Sequence, residues 1–441
     1  MERRTFLRKA GLGGAATAIR PFGLAHNSTS LAVPERSRRE GVPPGGPAAG
    51  ARMLEKPAEP DRPLGMKITR IRFYRNPKSP AHFNQSFHIV MVETDAGITG
   101  IGEGGSPDTA KQCAAMIIGE DASRIDRLWQ MMFRAYFYPA GREKLDALGA
   151  IDLALWDIKG KALGVPVYDL LGGLSRDHVE CYSTAFPAQA SLKETARACI
   201  EAGFRAFRWA TADPAKGEPF NSHEAVRKTF EQCQQIREGV GPEGDWALDY
   251  HTRFDFSDAV RLSTRIEPLE PYFAEDLIRS EDPGVYRELR EHVKVPIAVG
   301  EQFGSKWDIR ELVENQLIDY ARVTLPNVGG ITEYVKICAL CETHYVGLIP
   351  HFTGPVAEAA LVHCCGVFSG PVMMEMLGAG GAKEPHLPAS YDFKNGKMWP
   401  NRRPGLGVEL DTKPLELVAE VTEQFRPIPI YHRPDGSLTN W

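Results

Sequence analysis

Nothing in the 441 residues could span a bilayer as a helix, because no apolar run reaches the roughly 18 residues such a segment needs. An excess of positive charge is also missing. Lys and Arg number 52 against 57 Asp and Glu, so the basic surplus of a nucleic-acid binder is absent. Cysteine is scarce, eight in the chain, which excludes a small disulfide scaffold. Cys338 and Cys341 stand three apart and Cys364 adjoins Cys365, but no second pair lies at ligand spacing with histidine. Zinc is therefore disfavoured, and the cysteines read as small buried apolar residues. Collagen and general disorder are excluded by a composition of 43% hydrophobic and 25% charged residues, ordinary for a globular protein. At roughly 100–200 residues per domain, the length predicts two or three domains, or a barrel with an appendage.

What charge there is lies unevenly. Residues 1–65 hold 11 Lys/Arg and 6 Asp/Glu, whereas the rest of the chain is acidic. The start, Arg3-Arg4-Thr5-Phe6-Leu7-Arg8-Lys9, precedes a mildly apolar Ala10–Ile19 stretch. That order predicts a twin-arginine export signal over residues 1–26 and a periplasmic protein. The alternative is a basic amphipathic start to a cytosolic helix. Between Asn27 and Gly65, 12 of 39 residues are Pro or Gly, which reads as a linker over 27–65.

Two patterns follow. Lys67–Tyr74 alternates with period two, His88–Thr94 is a second strand, and Asp95-Ala96-Gly97 turns it into Ile98–Glu103. Helices are then predicted at Ala110–Ile118, Ser123–Phe133 and Lys144–Leu163. The last carries Leu145, Leu148, Ile151, Leu155 and Ile158 on one stripe and stops at Gly164. Residues 66–178 thus form an α+β unit. From about 179 to 390 short apolar strands alternate with helices. The strands are Glu180–Thr184, Ala206–Ala210, Trp246–His251, Tyr272–Glu275, Ile297–Glu301, Tyr320–Thr324, Val346–His351 and Val372–Glu375. Helices open at Ser191-Leu192-Lys193-Glu194, Asp282-Pro283, Ser305-x-x-Asp308 and Gly354-Pro355. Eight strands alternating with helices predict a TIM-type barrel.

The acidic residues tie this architecture to chemistry. Asp249, Glu275 and Glu301 are 26 residues apart, His351 follows after 50 and Glu375 after a further 24. One βα unit has that period, and each of these residues closes an apolar run. They are therefore expected around the C-terminal mouth of the barrel, where barrel active sites lie. Converging carboxylates repel unless a hard cation joins them, so Asp249, Glu275 and Glu301 are the expected ligands of Mg²⁺. A metal held in this way can bind a carboxylate substrate and stabilise the enediolate left when its α-proton departs. His251, two residues past Asp249 and so on the same strand face, and His351 across the mouth suit acid and base roles.

These residues resemble the enolase superfamily, in its mandelate racemase and muconate lactonizing branch. The resemblance runs from about Lys67 to the C-terminus. It is densest in Ala150–Gly164, Leu170-Leu171-Gly172-Gly173, Gly300-Glu301-Gln302, Gly329–Glu333 and Pro404–Val408. It implies an α/β fold: a modified TIM barrel (β/α)7β with an N-terminal α+β capping domain, completed by the C-terminal tail, residues 391–441. Cap loops, here about Arg75–Phe87, would cover the substrate. Asp249-Tyr250-His251 looks most like the galactonate-type sugar-acid dehydratases. In those, the strand-three histidine (His251) helps the 3-hydroxyl leave and the strand-seven histidine (His351) is the base. Glu375 would bond the substrate, and Arg208 matches the first residue of a strand-two Lys-x-Lys motif.

Two positions depart from the family pattern. Ala210 replaces the second strand-two lysine, which disfavours lysine-based racemisation. Thr324 stands where the family usually places an aspartate beside the histidine base, with Asn327 as an alternative orienter. The expected activity is Mg²⁺-dependent dehydration of an aldonate-type sugar acid to a 2-keto-3-deoxy acid. The alternatives are an epimerase or cycloisomerase using the same chemistry, and a non-catalytic exported protein that binds acid sugars. A small-molecule substrate and a homo-oligomer are expected, with no nucleic-acid partner and no membrane span.

Overall fold

The structure, a computed structural model, describes residues 64–78, 88–135, 138, 140–380, 386–387 and 391–440. The expected export signal, nearly all of the linker and most of the cap loop at 75–87 lie outside the described residues. Strands β1 (Ile68–Arg75), β2 (Ile89–Thr94) and β3 (Thr99–Glu103) form an antiparallel meander. Its β2–β3 turn uses Gly97 at φ +73°, a left-handed conformation that glycine adopts without strain. Helices α1 (Pro107–Ile117), α2 (Ile125–Arg134), α3 (Arg142–Leu163) and the short α4 (Val167–Leu170) follow. The five-residue stripe predicted on α3 is fully buried. Each such side chain stabilises the unit by roughly 1.5–3 kcal/mol relative to exposure. Gly164 ends α3 at φ +70° and donates to the Gly160 and Lys161 carbonyls.

The barrel runs β4 (Val179–Thr184), α5 (Leu192–Glu201), β5 (Ala206–Ala210), α6 (Ser222–Val240), β6 (Asp245–Asp249), α7 (Phe256–Ile266), β7 (Phe273–Glu275), α8 (Tyr286–His292), β8 (Ile297–Val299), α9 (Lys306–Glu314), β9 (Tyr320–Ala321), α10 (Ile331–Thr343), β10 (Gly347–Leu348), α11 (Pro355–Val367) and β11 (Met374–Leu377). Ser191 and Ser305 cap α5 and α9 as their sequences predict, accepting from the Glu194 and Asp308 amides. Successive strands pair in parallel, and β11 pairs with β4. The ring closes through Leu348, whose amide donates to the Pro371 carbonyl and whose carbonyl accepts from Met373. Tyr182, Ala206, Ala247, Phe273, Ala298, Ile349 and Met373 fill the barrel interior beneath the mouth.

The tail serves both units. Its hairpin, β12 (Tyr391–Lys394) and β13 (Lys397–Pro400), joins β4 of the barrel, while β14 (Glu416–Val421) pairs with β1 of the cap. The β14 pairing places the tail on the cap as expected, and the hairpin adds a contact with the barrel. Cap and barrel also meet along α3. A Cβ on Gly149 would lie 2.2 Å from the Pro326 carbonyl oxygen, and the Trp129 indole donates to the Gly329 carbonyl at 2.8 Å. Asp152 accepts from the amide and the hydroxyl of Thr332. The loop after β9 is thereby clamped by the cap. All eight cysteines are free and buried, and no helix among the described residues is long and apolar enough to cross a membrane.

Candidate active site at the barrel mouth

Asp249 and Glu275 end β6 and β7 and are register partners, so their side chains leave the sheet side by side. Arg208 on β5 donates from Nη2 to Asp249 at 2.6 Å and to Glu275 at 2.7 Å, and from Nε to Glu275 at 3.3 Å. Opposite stands Arg322, just past β9 and 0% exposed. Its Nε lies 2.7 Å from Glu275, and its Nη2 lies 2.7 Å from Glu375 and 3.2 Å from Glu301. These two nitrogens are paired by charge rather than by aligned hydrogen bonds, since neither N–H has an acceptor along its direction. Nη1 does have one, the Tyr182 hydroxyl at 2.7 Å.

The carboxylates fall into two groups. Asp249, Glu275 and Asp276, all buried, each bring one oxygen within 4.8 Å of the others. Burial raises Asp249 and pushes Glu275 up to about 7, although Arg208 and Arg322 oppose it. Asp276 stands well above the usual carboxylate range, through burial and the neighbouring charges of Glu301, Glu275 and Asp249. Glu301 and Glu375 go the other way. Burial would raise them too, but His351 and Arg322 hold Glu301 low, and Arg322 and Arg208 hold Glu375 well below the usual range. Asp249, Glu275 and Asp276 are thus the carboxyls whose charged form burial disfavours, a balance that a cation facing them would reverse.

One atom there is unsatisfied. Asp276 Oδ2 accepts from Gln302 Nε2 at 2.6 Å, but Oδ1 is sealed from solvent without a hydrogen-bond partner. A buried unpaired carboxylate oxygen is costly unless a cation faces it. An all-oxygen donor set of this charge fits a hard divalent ion.

The histidines sit differently. His351 is buried just past β10, with Nδ1 3.2 Å from Thr324 Oγ1 and Nε2 3.4 Å from Glu301. Burial lowers its pKa, with Arg322 adding to the effect and Glu301 opposing it. Glu375 accepts from the Thr184 hydroxyl at 2.5 Å and from the Phe352 amide at 2.9 Å. Asn327 does not orient His351. It faces Arg142 at the start of α3, its amide oxygen accepting from Nε at 3.1 Å when oriented to suit. His251 lies beyond β6 at φ +53° and is exposed, and its amide donates to Asp249 Oδ1 at 2.5 Å. Its direction is set by that left-handed turn, not by strand alternation.

The mouth thus gathers Arg208, Asp249, Glu275, Glu301, His351 and Glu375. Four of the predicted strands stop short of their expected ends, at Asp249, Val299, Ala321 and Leu348. His251, Glu301, Thr324 and His351 therefore lie on the turns after them. Glu301 follows Gly300 at φ +150° and is outside the group that converges on one point. Sequence reasoning missed two residues. Arg322 occupies the repeat between Glu301 and His351, where only Thr324 had been singled out, and a charged residue just after Tyr320-Ala321 was its signal. Asp276 had no signal. Next to Glu275 it belongs to the opposite face of a regular strand, and only φ +47° turns it inward.

Known proteins resemble this chain over most of its length. Residues 75–172 match the mandelate racemase/muconate lactonizing enzyme N-terminal domain, and residues 191–414 match the enolase C-terminal domain-like family. The chain belongs to the enolase superfamily. D-galactonate dehydratases of Ralstonia pickettii and Xanthomonas oryzae are each 34% identical over 392 residues, covering 85% of this chain and all of theirs. A solved enolase-superfamily member from Salmonella Typhimurium superposes with a TM-score of 0.74 at 26% identity, covering 81% of this chain and 100% of that one. A mandelate racemase/muconate lactonizing enzyme-like protein from a Roseovarius species gives 0.70 at 25% identity, covering 78% and 93%. By this kinship the enolase-superfamily chain is an enzyme of the hydro-lyase class.

Proposed function

We propose that this enolase-superfamily member dehydrates a sugar acid of the aldonate type, giving a 2-keto-3-deoxy acid. Support comes from the D-galactonate dehydratases that match 85% of the chain. The observation that carries the reading is a buried histidine, His351, beside a mouth where Asp249, Glu275 and Asp276 bring their carboxylate oxygens together. Mg²⁺, held by the acidic group around Asp249 and Glu275, would when bound offset the charge that develops on the substrate's carboxylate.

The protein groups do the rest. Thr324 can accept from Nδ1–H of His351, which leaves the Nε2 lone pair as the base. Nε2 takes the α-proton and the substrate becomes an enediolate. His251, exposed at the rim, gives its proton to the departing 3-hydroxyl, which leaves as water. Glu375, anchored by Thr184 and Phe352, is placed to accept a hydrogen bond from a substrate hydroxyl. Arg208 and Arg322 keep the carboxylates from repelling one another. We also propose export through the paired arginines Arg3 and Arg4.

The test is a library of acid sugars, D-galactonate included, incubated with Mg²⁺ and assayed for keto acid. Exchange of the α-proton with deuterated water and no keto acid would indicate an epimerase. Neither exchange nor keto acid on any member would reject the enzymatic reading.

A further inference from the structure

The first turn of α3 brings a cation from the cap to the rim of the barrel mouth. Arg142 opens that helix, and its backbone touches the turn after β8: a Cβ on Gly304 would lie 2.8 Å from the Arg142 Cα. The half-buried guanidinium reaches the turn after β9. There the oxygen of the buried Asn327, when oriented to suit, accepts from Nε at 3.1 Å and from Nη2 at 2.5 Å. Gly304 lies shortly after Glu301, and Asn327 shortly after Thr324. Arg142 therefore stands on the side of the mouth that carries Glu301, Thr324 and His351, and it feels the charge of Glu301.

Asn327 occupies two of the five N–H groups of the guanidinium. The other three find no acceptor among the described residues, and no carboxylate there pairs with the group. Asp146, one helical turn along, is not its counter-ion. That carboxyl packs toward Gly104, where a Cβ would lie 2.6 Å from Oδ1, and burial pushes it up to about 7. A guanidinium fastened along one edge by a neutral amide keeps charged donors for a ligand's oxygens. Such hydrogen bonds are roughly twice as strong as neutral ones. Hydroxyls suit the place better than a second carboxylate, because Glu301 and Glu375 are held in their charged forms and would repel another anion.

We propose that Arg142 is a specificity-determining residue that donates to the hydroxyls at the end of the acid sugar away from its carboxylate. The inference rests on the dehydratase reading above and narrows it to acids long enough to reach the cap. Asn327 holds the fork in place, and the reacting carbons stay with the barrel residues.

The test is steady-state kinetics of the full chain with Mg²⁺ on two acids. One is the six-carbon aldonate that gives most keto acid, and the other is the four-carbon acid of the same configuration at carbons 2 and 3. In Arg142→Gln the ratio of their kcat/KM values, long over short, should fall at least about tenfold, as loss of hydrogen bonds from a charged donor does. Equal losses on both acids would overturn the proposal and leave Arg142 as a fastening between cap and barrel. Arg142-dependent preference for the six-carbon diacid over the aldonate would overturn the choice of hydroxyls. If Arg142→Gln does not fold, Arg142→Lys decides. It keeps the charge but gives up the planar fork, so the ratio should fall at least about threefold, and an unmoved ratio would overturn the proposal. No keto acid from any acid with the unmodified chain would instead overturn the dehydratase reading, and this inference with it.

Discussion

The Thr324 hydroxyl lies 3.2 Å from Nδ1 of His351, on a ring only 5% exposed. The hydroxyl can fix the ring's orientation and tautomer but adds no negative charge to stabilise its protonated form.

Thr324→Asp therefore has a signed expectation. Burial already lowers the His351 pKa, and a carboxylate at Nδ1 opposes that. A base works deprotonated, so raising its pKa moves the acid limb of the pH–rate profile to higher pH. Turnover above that limb should also rise. An unmoved limb with a less stable fold would mean that Thr324 only packs.

Glu275→Gln reaches further than loss of one metal ligand. Glu275 pairs with both Arg208 and Arg322 and is fully buried, so the variant leaves two guanidinium groups short of charge. Breaking a buried pair costs roughly 3–5 kcal/mol. The lower end is expected here, because burial pushes the Glu275 carboxyl up to about 7 and leaves it partly protonated near neutrality. Mg²⁺ calorimetry should show binding lost, and urea unfolding should show the fold weakened but retained.

Glu358 provides a pH-dependent stability test away from the mouth. It is buried on α11, accepts from the Tyr391 hydroxyl at 2.5 Å, and is pushed up to about 8, chiefly by burial. Its folded pKa lies above its ordinary value, so the folded protein keeps a proton that the unfolded chain has released. That contribution is complete below about pH 4 and is lost progressively as pH rises to about 8. Glu358→Gln should remove this loss, so its melting temperature should gain on that of the unmodified protein between pH 5 and pH 8. A constant difference across that range would reject the raised pKa.

Gly149→Ala sets helix propensity against packing. In a free helix the change would stabilise by up to about 1 kcal/mol. Here the new Cβ would lie 2.2 Å from the Pro326 carbonyl oxygen and 2.8 Å from the Gly330 amide, both backbone atoms that cannot swing aside. Net destabilisation of roughly 1–3 kcal/mol is expected, read by circular dichroism on heating. Because Pro326 follows Thr324 and Arg322, activity should also fall.

For export, Arg3→Lys together with Arg4→Lys should hold the protein in the cytoplasm, since the paired arginines are the address. Undiminished periplasmic protein on fractionation would remove the twin-arginine assignment.

The sequence by itself determined the architecture and most of the ring. Period-two and period-3.6 patterns are local consequences of backbone geometry, so the strands of the cap, the stripe on α3 and the capped starts of α5 and α9 could be read directly. The 26-residue spacing of Asp249 and Glu275 survived because both lie within regular strands in register. Tertiary structure decided the rest wherever the chain leaves the strand. Gly300 at φ +150° carries Glu301 to Arg322 and His351, and φ +47° turns Asp276 toward Asp249 and Glu275. Arg322 pairs with acids at the end of β7, on the turn after β8 and in β11, which lie far apart in the chain. Alternation fixes a side chain's direction only while the backbone remains extended. Past the last paired residue, direction depends on single torsions and on which buried charges must meet, and both are properties of the closed barrel.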